Sequence, residues 1–318
     1  MRKSSRLLTP LVFALSLCLM GWGEERQETP TAEMRSFSFS LIRVPVWISK
    51  KNGVAPSSLT KEDFQLLVDG REVVIERCAR VWEEPLELVY LVDLSGSMEV
   101  GGKLEGSLQT MDYLLKRHRS EDLWRVAAFS DAQVVQVLDQ SQVDHWQALR
   151  SKFKAYGKTA LFDALSVGDG YFTAESMDNR GILLFTDGND NQSILTDIEL
   201  YQILKELSVP VFIVAIADGF IPSKTEAREK LGLKTMEEIT KISGGELFLA
   251  SDRSQLPQIG VMLEQRLRPQ YLLTFMVERG ARERKRTIEV QVRSDADFEI
   301  RHRSGYIGLE PEYTGGRE

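Results

Sequence analysis

Strand-length runs of apolar residues, separated by amphipathic stretches, constrain the fold of this chain more than any other feature. The runs are Leu86–Val92, Val126–Phe129, Val134–Leu138, Ile182–Phe185, Val211–Ala217 and Leu247–Ala250. Between most of them the spacing is helical, as in Leu104, Leu108 and Met111 and again over Leu161–Phe172. Strands that are apolar throughout are buried on both sides. The pattern therefore predicts an α/β fold, a doubly wound and mostly parallel sheet with helices on both faces.

Two details of this pattern predict the strand order. The runs Val126–Phe129 and Val134–Leu138 are too close together for a helix between them, so we expect a hairpin with one antiparallel strand at the sheet edge. In the commonest doubly wound order, the first and the fourth strands are neighbours at the point where the order reverses. We therefore expect Leu86–Val92 to lie beside Ile182–Phe185.

The regions on either side of this α/β pattern are β-rich. Asp69-Gly70 is typical of a two-residue hairpin and lies between two strand-like runs. After Arg268-Pro269, three more strand patterns follow: Tyr271–Val277, Thr287–Val292 and Phe298–Arg303. Each set alone would have exposed edges and half a core, so we expect the two sets to form one small sandwich-like module with the α/β domain inserted in it. The expected divisions are 34–84, 85–268 and 269–308, with a tail at 309–318.

The first 23 residues have the pattern of a secretory signal. Three basic residues precede the apolar stretch Leu7–Met20, and Gly21-Trp22-Gly23 places small residues where cleavage before Glu24 would occur. We expect an exported protein, periplasmic or secreted, with an uncleaved N-terminal anchor as the alternative.

Charge and cysteine content exclude several classes of function. Removal of residues 1–23 leaves 37 basic and 47 acidic residues, a net charge of −10. Such a chain gains nothing electrostatically from nucleic acid or from anionic lipid, so we expect neither partner. Only Cys78 remains after cleavage, which precludes an intramolecular disulfide, and the three histidines are scattered without Cys/His zinc spacing.

Polar side chains follow two of the apolar runs where each strand is expected to end. Asp93, Ser95 and Ser97 come after the first run, and Asp187 comes after the fourth. Thr159 opens the helix that precedes the fourth run. Taken alone, Asp93 and its serines also fit an ordinary capped turn. Because ligands of doubly wound sheets bind at the carboxyl ends of the strands, we expect all five side chains to meet in one crevice.

Two carboxylates in one crevice repel each other, so one of them is protonated or a cation lies between them. The hydroxyls around them favour the cation. Oxygen ligands without thiol or imidazole select hard ions, first Mg²⁺, with Mn²⁺ or Ca²⁺ also possible. Since neutral hydroxyls leave the ion with residual positive charge, such a site should attract an additional anionic oxygen from outside.

The set of five residues resembles the complete metal-ion-dependent adhesion site (MIDAS) of von Willebrand factor type A domains. The resemblance covers about residues 86–268, and the whole chain is similar to bacterial exported proteins called VWFA-related. It implies that Ser95 and Ser97 ligate the ion directly, as Thr159 does in the ligand-bound state. It also implies that Asp93 and Asp187 act largely through waters or by switching.

This reading predicts an adhesion-type binding module that captures a Glu or Asp carboxylate of a partner protein, with no catalytic residues. Its expected rim residues are Met98, Glu99, Lys103, Tyr156, Lys158, Asn189 and Asp190. One alternative is a scaffold or assembly protein that binds partners without metal. The other is a metal-dependent hydrolase, which requires a nucleophile or general base beside the metal. The motifs have no histidine beside them, and Lys158 is the only nearby basic candidate.

Overall fold

The computed structural model describes residues 39–50, 58–131, 133–139, 145–172, 179–188, 190–207, 209–217, 232–279, 282–293 and 298–310. All of them belong to one compact unit, residues 37–318. The predicted signal at 1–23 lies outside the described residues. No helix among the described residues is both long enough and apolar enough to span a membrane.

The strands are β1 (Phe39–Lys50), β2 (Phe64–Val68), β3 (Arg71–Glu72), β4 (Arg77–Arg80), β5 (Glu87–Asp93), β6 (Leu123–Ser130), β7 (Gln133–Asp139), β8 (Arg180–Thr186), β9 (Val211–Ile216), β10 (Leu247–Ala250), β11 (Tyr271–Glu278), β12 (Arg282–Val292), β13 (Phe298–Arg301) and β14 (Gly305–Glu310). The helices are α1 (Lys103–Leu115), α2 (Trp146–Arg150), α3 (Leu161–Ser166), α4 (Asp197–Leu207), α5 (Leu233–Ser243) and α6 (Leu256–Arg266).

The central sheet has the predicted order and direction. Its six strands run β10-β9-β8-β5-β6-β7. All neighbours are parallel except β7, which pairs antiparallel with β6 at the edge. Strand β5 lies between β6 and β8, so the expected contact between the first and the fourth core strands is confirmed.

Helices cover both faces of this sheet, as the apolar strands predict. On one face Leu88, Tyr90 and Val92 of β5 pack in a core with residues of α1 and α6. On the other face Val89 and Leu91 pack with residues of α3, α4 and α5. The doubly wound α/β fold is therefore confirmed.

One predicted helix is shorter than its pattern indicated. The spacing of apolar residues extends over Leu161–Phe172, but α3 ends at Ser166 and a 3-10 turn, Gly168–Tyr171, follows. Glycine is a poor helix former, and a Cβ on Gly168 would lie 2.9 Å from Ile182 of β8. The Tyr171 hydroxyl of this turn donates a hydrogen bond back to the carbonyl oxygen of Ala164 in α3, at 3.0 Å.

The flanking strands form two four-stranded sheets, ordered β13-β1-β11-β4 and β14-β12-β2-β3. N-terminal β1 pairs antiparallel with C-terminal β11, and N-terminal β2 with C-terminal β12. Side chains of both sheets, including Val46, Leu66 and Leu273, share one buried core. The expected pairing of the two ends of the chain is thus present, whereas the exact domain boundaries stay a prediction. Strand β14, which the sequence did not predict, includes the first two residues of the expected tail.

A buried ion pair joins the two ends of the inserted α/β region. Asp122 accepts hydrogen bonds from the backbone N–H groups of Leu86, at 2.9 Å, and Arg119, at 2.8 Å. It also pairs with Arg268, which donates to the carbonyl oxygen of Glu84 at 3.0 Å. Burial alone would raise the pKa of Asp122, but these donors, together with His118, lower it below its usual value.

We predict that Asp122→Asn lowers the free energy of unfolding by roughly 3–5 kcal/mol at pH 7, because the Arg268 charge would be left buried without its counter-ion. The depressed pKa makes the carboxylate stabilising above the unfolded-state value of about 3.9, and this stabilisation is lost as the pH falls below it. Urea unfolding should therefore show a smaller difference in the free energy of unfolding between wild type and Asp122→Asn at pH 3 than at pH 7. Asp252→Asn, at a partly exposed cap without an ion pair in the described residues, is the control with little expected change. Equal stabilities of wild type and Asp122→Asn at pH 7 would contradict the assignment.

Candidate metal centre

Asp93, the last residue of β5, is held by one donor from the loop after β5 and one from the neighbouring strand β8. Its side chain is fully buried, and its Oδ1 accepts a hydrogen bond from the Ser95 backbone N–H at 2.7 Å. Its Oδ2 accepts one from the hydroxyl of Thr186, the last residue of β8, at 2.6 Å. Burial raises the pKa of Asp93 to about 6, although both hydrogen bonds and the Ser95 side chain oppose the shift. The two strand ends are therefore joined through this carboxylate.

Asp187, which directly follows β8, lies in the same cluster. The Ser97 hydroxyl donates to its Oδ1 at 2.8 Å, and the Lys103 ammonium pairs with its Oδ2. Ser97 Oγ also lies 3.2 Å from Ser95 Oγ. Hydrogen bonds thus connect Asp93 to Asp187 through the Ser95 backbone N–H and the two serine hydroxyls, along the carboxyl ends of β5 and β8.

Thr159 reaches this edge of the sheet through the segment that precedes α3. Its backbone N–H donates to Asn191 Oδ1 at 3.0 Å, and its carbonyl oxygen accepts the N–H groups of Asn191, at 3.0 Å, and Gln192, at 3.1 Å. Two residues earlier, the Gly157 carbonyl oxygen accepts the Gly96 N–H at 3.0 Å. These contacts place the buried Thr159 between the loop after β5 and the loop after β8.

Gly157 makes this segment possible. Its φ of +74° lies in the left-handed region, and a Cβ there would lie 2.4 Å from a carboxylate oxygen of Asp131. That carboxylate accepts the Lys158 N–H at 2.8 Å, and the Asp131 N–H donates to the Lys158 carbonyl oxygen, also at 2.8 Å. The glycine therefore allows Asp131 to hold the residue next to Thr159.

The expected rim residues are placed unevenly. Glu99, Tyr156 and Lys158 are exposed. Met98 and Lys103 are buried, at 0% and 2% exposure, so their assignment to an exposed rim is wrong.

Met98, Lys103 and Asp190 are withdrawn from the surface for different physical reasons. Met98 packs in the core beneath the loop, and the Lys103 ammonium turns inward to Asp187. Asp190 is half-buried, and its Oδ1 accepts the Ser193 hydroxyl at 2.5 Å, so this carboxylate supports its own loop. Asn189 lies outside the described residues.

The oxygens present fit a small hard cation. Octahedral Mg²⁺ binds oxygens at about 2.0–2.1 Å, which places adjacent ligand oxygens about 3 Å apart. The spacing from Ser95 Oγ to Ser97 Oγ is 3.2 Å, and that from Ser97 Oγ to Asp187 Oδ1 is 2.8 Å. Since the described residues hold no cluster of three or more His, Cys, Asp or Glu side chains, a cation here depends on the hydroxyls.

Two functional contacts were not predicted from the sequence. Thr186 is absent from the predicted site residues, although a hydroxyl in the last position of a strand can reach the adjacent strand end. Lys103 was assigned to the rim, although a basic residue in the first turn of a helix is unfavourable unless an anion lies close. That unfavourable position was the available signal for a buried partner.

We predict that Thr186→Val lowers the free energy of unfolding of the metal-free protein by about 1–3 kcal/mol, because one oxygen of the buried Asp93 loses its donor. Thr110→Val is the matched control, since its buried hydroxyl only donates to the Gly106 carbonyl oxygen within α1, at 3.0 Å, and to the more distant Leu256 carbonyl oxygen. Urea unfolding in EDTA should show the larger loss for Thr186→Val. Equal losses in the two variants would show that the hydrogen bond to Asp93 contributes no more to the free energy of unfolding than an ordinary buried hydroxyl hydrogen bond.

Several solved structures are similar to this chain. A protein titled von Willebrand factor type A from Catenulispora acidiphila is 12% identical, with 87% of this chain and 74% of that chain covered and a TM-score of 0.47. An aerotolerance-related membrane protein from Bacteroides fragilis is 17% identical, with 57% and 98% covered and a TM-score of 0.44.

A third similar structure is proximal thread matrix protein 1 from the mussel byssus, described with a zinc-occupied MIDAS motif. It is 15% identical, with 62% of this chain and 48% of that chain covered and a TM-score of 0.42. A comparison with curated protein sequences gave no match.

The family model of the von Willebrand factor type A domain matches residues 87–260, from the start of β5 into α6. This match spans more than half of the 318 residues and the whole oxygen cluster. The chain therefore belongs to the von Willebrand factor type A domain family.

Proposed function

We propose that this protein captures a partner protein through a divalent cation held by Asp93, Ser95, Ser97, Thr159 and Asp187. The observation that carries the proposal is the series of hydrogen bonds that joins Asp93 to Asp187 through Ser95 and Ser97, at the junction of β5 and β8. Domains of this family are protein-interaction modules that often bind a divalent metal, and they are generally not enzymes. The bound cation would supply a positive centre for a Glu or Asp carboxylate of the partner.

The donor set favours Mg²⁺, with Mn²⁺ and Ca²⁺ as the alternatives. All five side chains offer oxygen, and hard cations prefer oxygen ligands. Three of the five are neutral hydroxyls, which offset little of the charge of a divalent ion. The hydrogen bonds from Ser95 and Thr186 hold the Asp93 carboxylate in place, so this side chain is preorganised for its role.

Exposed side chains on both sides of the cluster would complete the partner surface. Glu99 follows the serines of the β5 loop, and Tyr156 and Lys158 flank Gly157. Tyr156 is 46% exposed, yet its N–H is fixed to the Leu94 carbonyl oxygen at 2.6 Å. An exposed aromatic ring on a fixed backbone is suited to protein recognition.

The organisation of the whole chain belongs to the same proposal. Residues 1–23 would direct export to the periplasm or the medium and would then be removed. The flanking regions 34–84 and 269–308 would form one β module that carries the metal-binding domain of residues 85–268. The pairing of β1 with β11 and of β2 with β12 supports this arrangement.

A metal-independent scaffold is the second candidate, and one observation favours it. The Lys103 ammonium already pairs with Asp187, so part of the negative charge of the cluster is balanced without any ion. In that case partners would bind the same domain in the absence of divalent cations.

We predict that Mg²⁺ or Mn²⁺ raises the melting temperature relative to EDTA. A cation present at a hundred times its dissociation constant stabilises the folded state by roughly 2.7 kcal/mol. Because the raised pKa of Asp93 favours its neutral form below about pH 6, the metal-induced shift should shrink as the pH falls through this value. Thermal melting with each ion and with EDTA, at pH 5 and pH 7.5, measures both effects.

The matched variant for this measurement is Asp187→Ala. It should abolish the response to metal, while Asp252→Ala, at a partly exposed cap outside the cluster, should retain it. Identical midpoints of the wild type in Mg²⁺, Mn²⁺ and EDTA would refute the metal site.

We also predict that partner capture is divalent-dependent. Exported proteins of the source organism, passed over the immobilised chain in Mg²⁺, should contain a partner that elutes in EDTA. Ser95→Ala and Thr159→Ala should reduce its capture at least about tenfold, because each removes a cation ligand. Ser254→Ala, at an exposed turn, is the control. A partner retained undiminished in EDTA would replace this proposal with the scaffold.

A further inference from the structure

Lys103 occupies a position that ordinary helix energetics disfavours. It is the first residue of α1, where the helix dipole repels positive charge, and it is only 2% exposed. Buried ammonium groups are rare unless an anion lies beside them. Its partner is Asp187, whose side chain is equally buried. The burial and the position together indicate that the lysine is placed here for its charge.

The backbone before α1 directs this side chain inward. Gly101 and Gly102 have φ values of +64° and +69°, a conformation that favours glycine. A Cβ on Gly102 would also lie 2.6 Å from a guanidinium nitrogen of Arg253. The Lys103 carbonyl oxygen accepts the Ser107 hydroxyl at 2.9 Å, within the first turn of the helix. Helix α1 starts directly after this turn, and the ammonium of its first residue, Lys103, pairs with Asp187 of the cluster.

The charges of the cluster can be counted from the described residues. Asp93 and Asp187 supply two negative charges and Lys103 supplies one positive charge, which leaves one net negative charge. The serines and Thr159 are neutral. With a divalent cation added, the site would carry one net positive charge. One monoanionic carboxylate from outside would then bring it to neutrality, whereas without the lysine the loaded site would already be neutral.

We infer that Lys103 sets the charge of this site, so that it binds the divalent cation less tightly but selects a single monoanionic carboxylate once the cation is bound. This inference rests on the proposed function of the site. Lys103 would thus lower the affinity of the site for the metal and raise the affinity of the loaded site for the partner carboxylate. A residue that only stabilised the loop would shift both affinities in the same direction or shift neither.

The test measures the two affinities separately in wild type and in Lys103→Met. Mn²⁺ is the metal probe, with the free ion measured by electron paramagnetic resonance. Acetate is the monoanion probe, followed on the Mn²⁺-loaded protein by the loss of water-proton relaxation as bound water is displaced. Removal of one charge within a few ångströms should raise the Mn²⁺ affinity and lower the acetate affinity, each by at least about tenfold.

Three further variants control for charge, surface electrostatics and folding. Lys103→Arg keeps the charge and should stay near wild type in both affinities. Lys116→Met removes an exposed charge at the other end of α1 and should change both affinities little. Lys103→Gln serves as a second uncharged variant if Lys103→Met does not fold, and it should show the same opposed shifts.

The outcomes distinguish this inference from the proposed function. A wild type without saturable Mn²⁺ binding would overturn both. A wild type that binds Mn²⁺ and acetate, with Lys103→Met unchanged or weakened in both affinities, would overturn the inference alone. Opposed shifts that also occurred in Lys116→Met would overturn it too, because they would be a general effect of surface charge.

Discussion

Two carboxylates buried side by side impose the constraint on which the rest of this structure depends. A charge removed from water is costly unless hydrogen-bond donors or counter-ions surround it, and two like charges increase that cost. Asp93 is satisfied by Ser95 and Thr186, and Asp187 by Ser97 and Lys103. Each of these donors lies on a strand end, a loop or a helix start that must be placed accurately. The loops after β5 and β8 are thereby fixed by the charges that they carry.

The sheet can meet this constraint because it is buried on both faces. Helices on each side exclude water from β5 and β8, so the carboxyl ends of both strands are held in register. The flanking sandwich also contacts the central sheet directly. Arg301 of β13 lies over the rings of Trp47 and Phe212, with 4.7 and 5.2 Å from the guanidinium carbon to the ring centroids. Because Phe212 belongs to β9, this contact joins the sandwich to the α/β core.

Much of the fold could be predicted from the sequence, because periodicity reports burial directly. Apolar runs and helical spacing were sufficient for the strand order, the antiparallel edge strand β7 and the helices on both faces. Strand β14 and the end of α3 were not predicted. Both depend on contacts with distant residues: β14 pairs with β12, and α3 stops where Gly168 approaches Ile182. Phe39 and Leu41 of β1 are exposed, at 58% and 57%, because Val44, Val46 and Ile48 on the opposite side of this strand pack in the sandwich core.

The candidate site, like the fold, could be predicted from the sequence only in part. The sequence by itself determined which residues end the first and fourth core strands, and therefore that Asp93 and Asp187 meet at one edge. Only the tertiary structure decided that Thr186 holds Asp93, and that Met98 and Lys103 face inward instead of lining the surface. The physical reason is that strand ends follow from local periodicity and sheet topology. The direction of a loop side chain depends instead on which charges and cavities the rest of the chain places beside it.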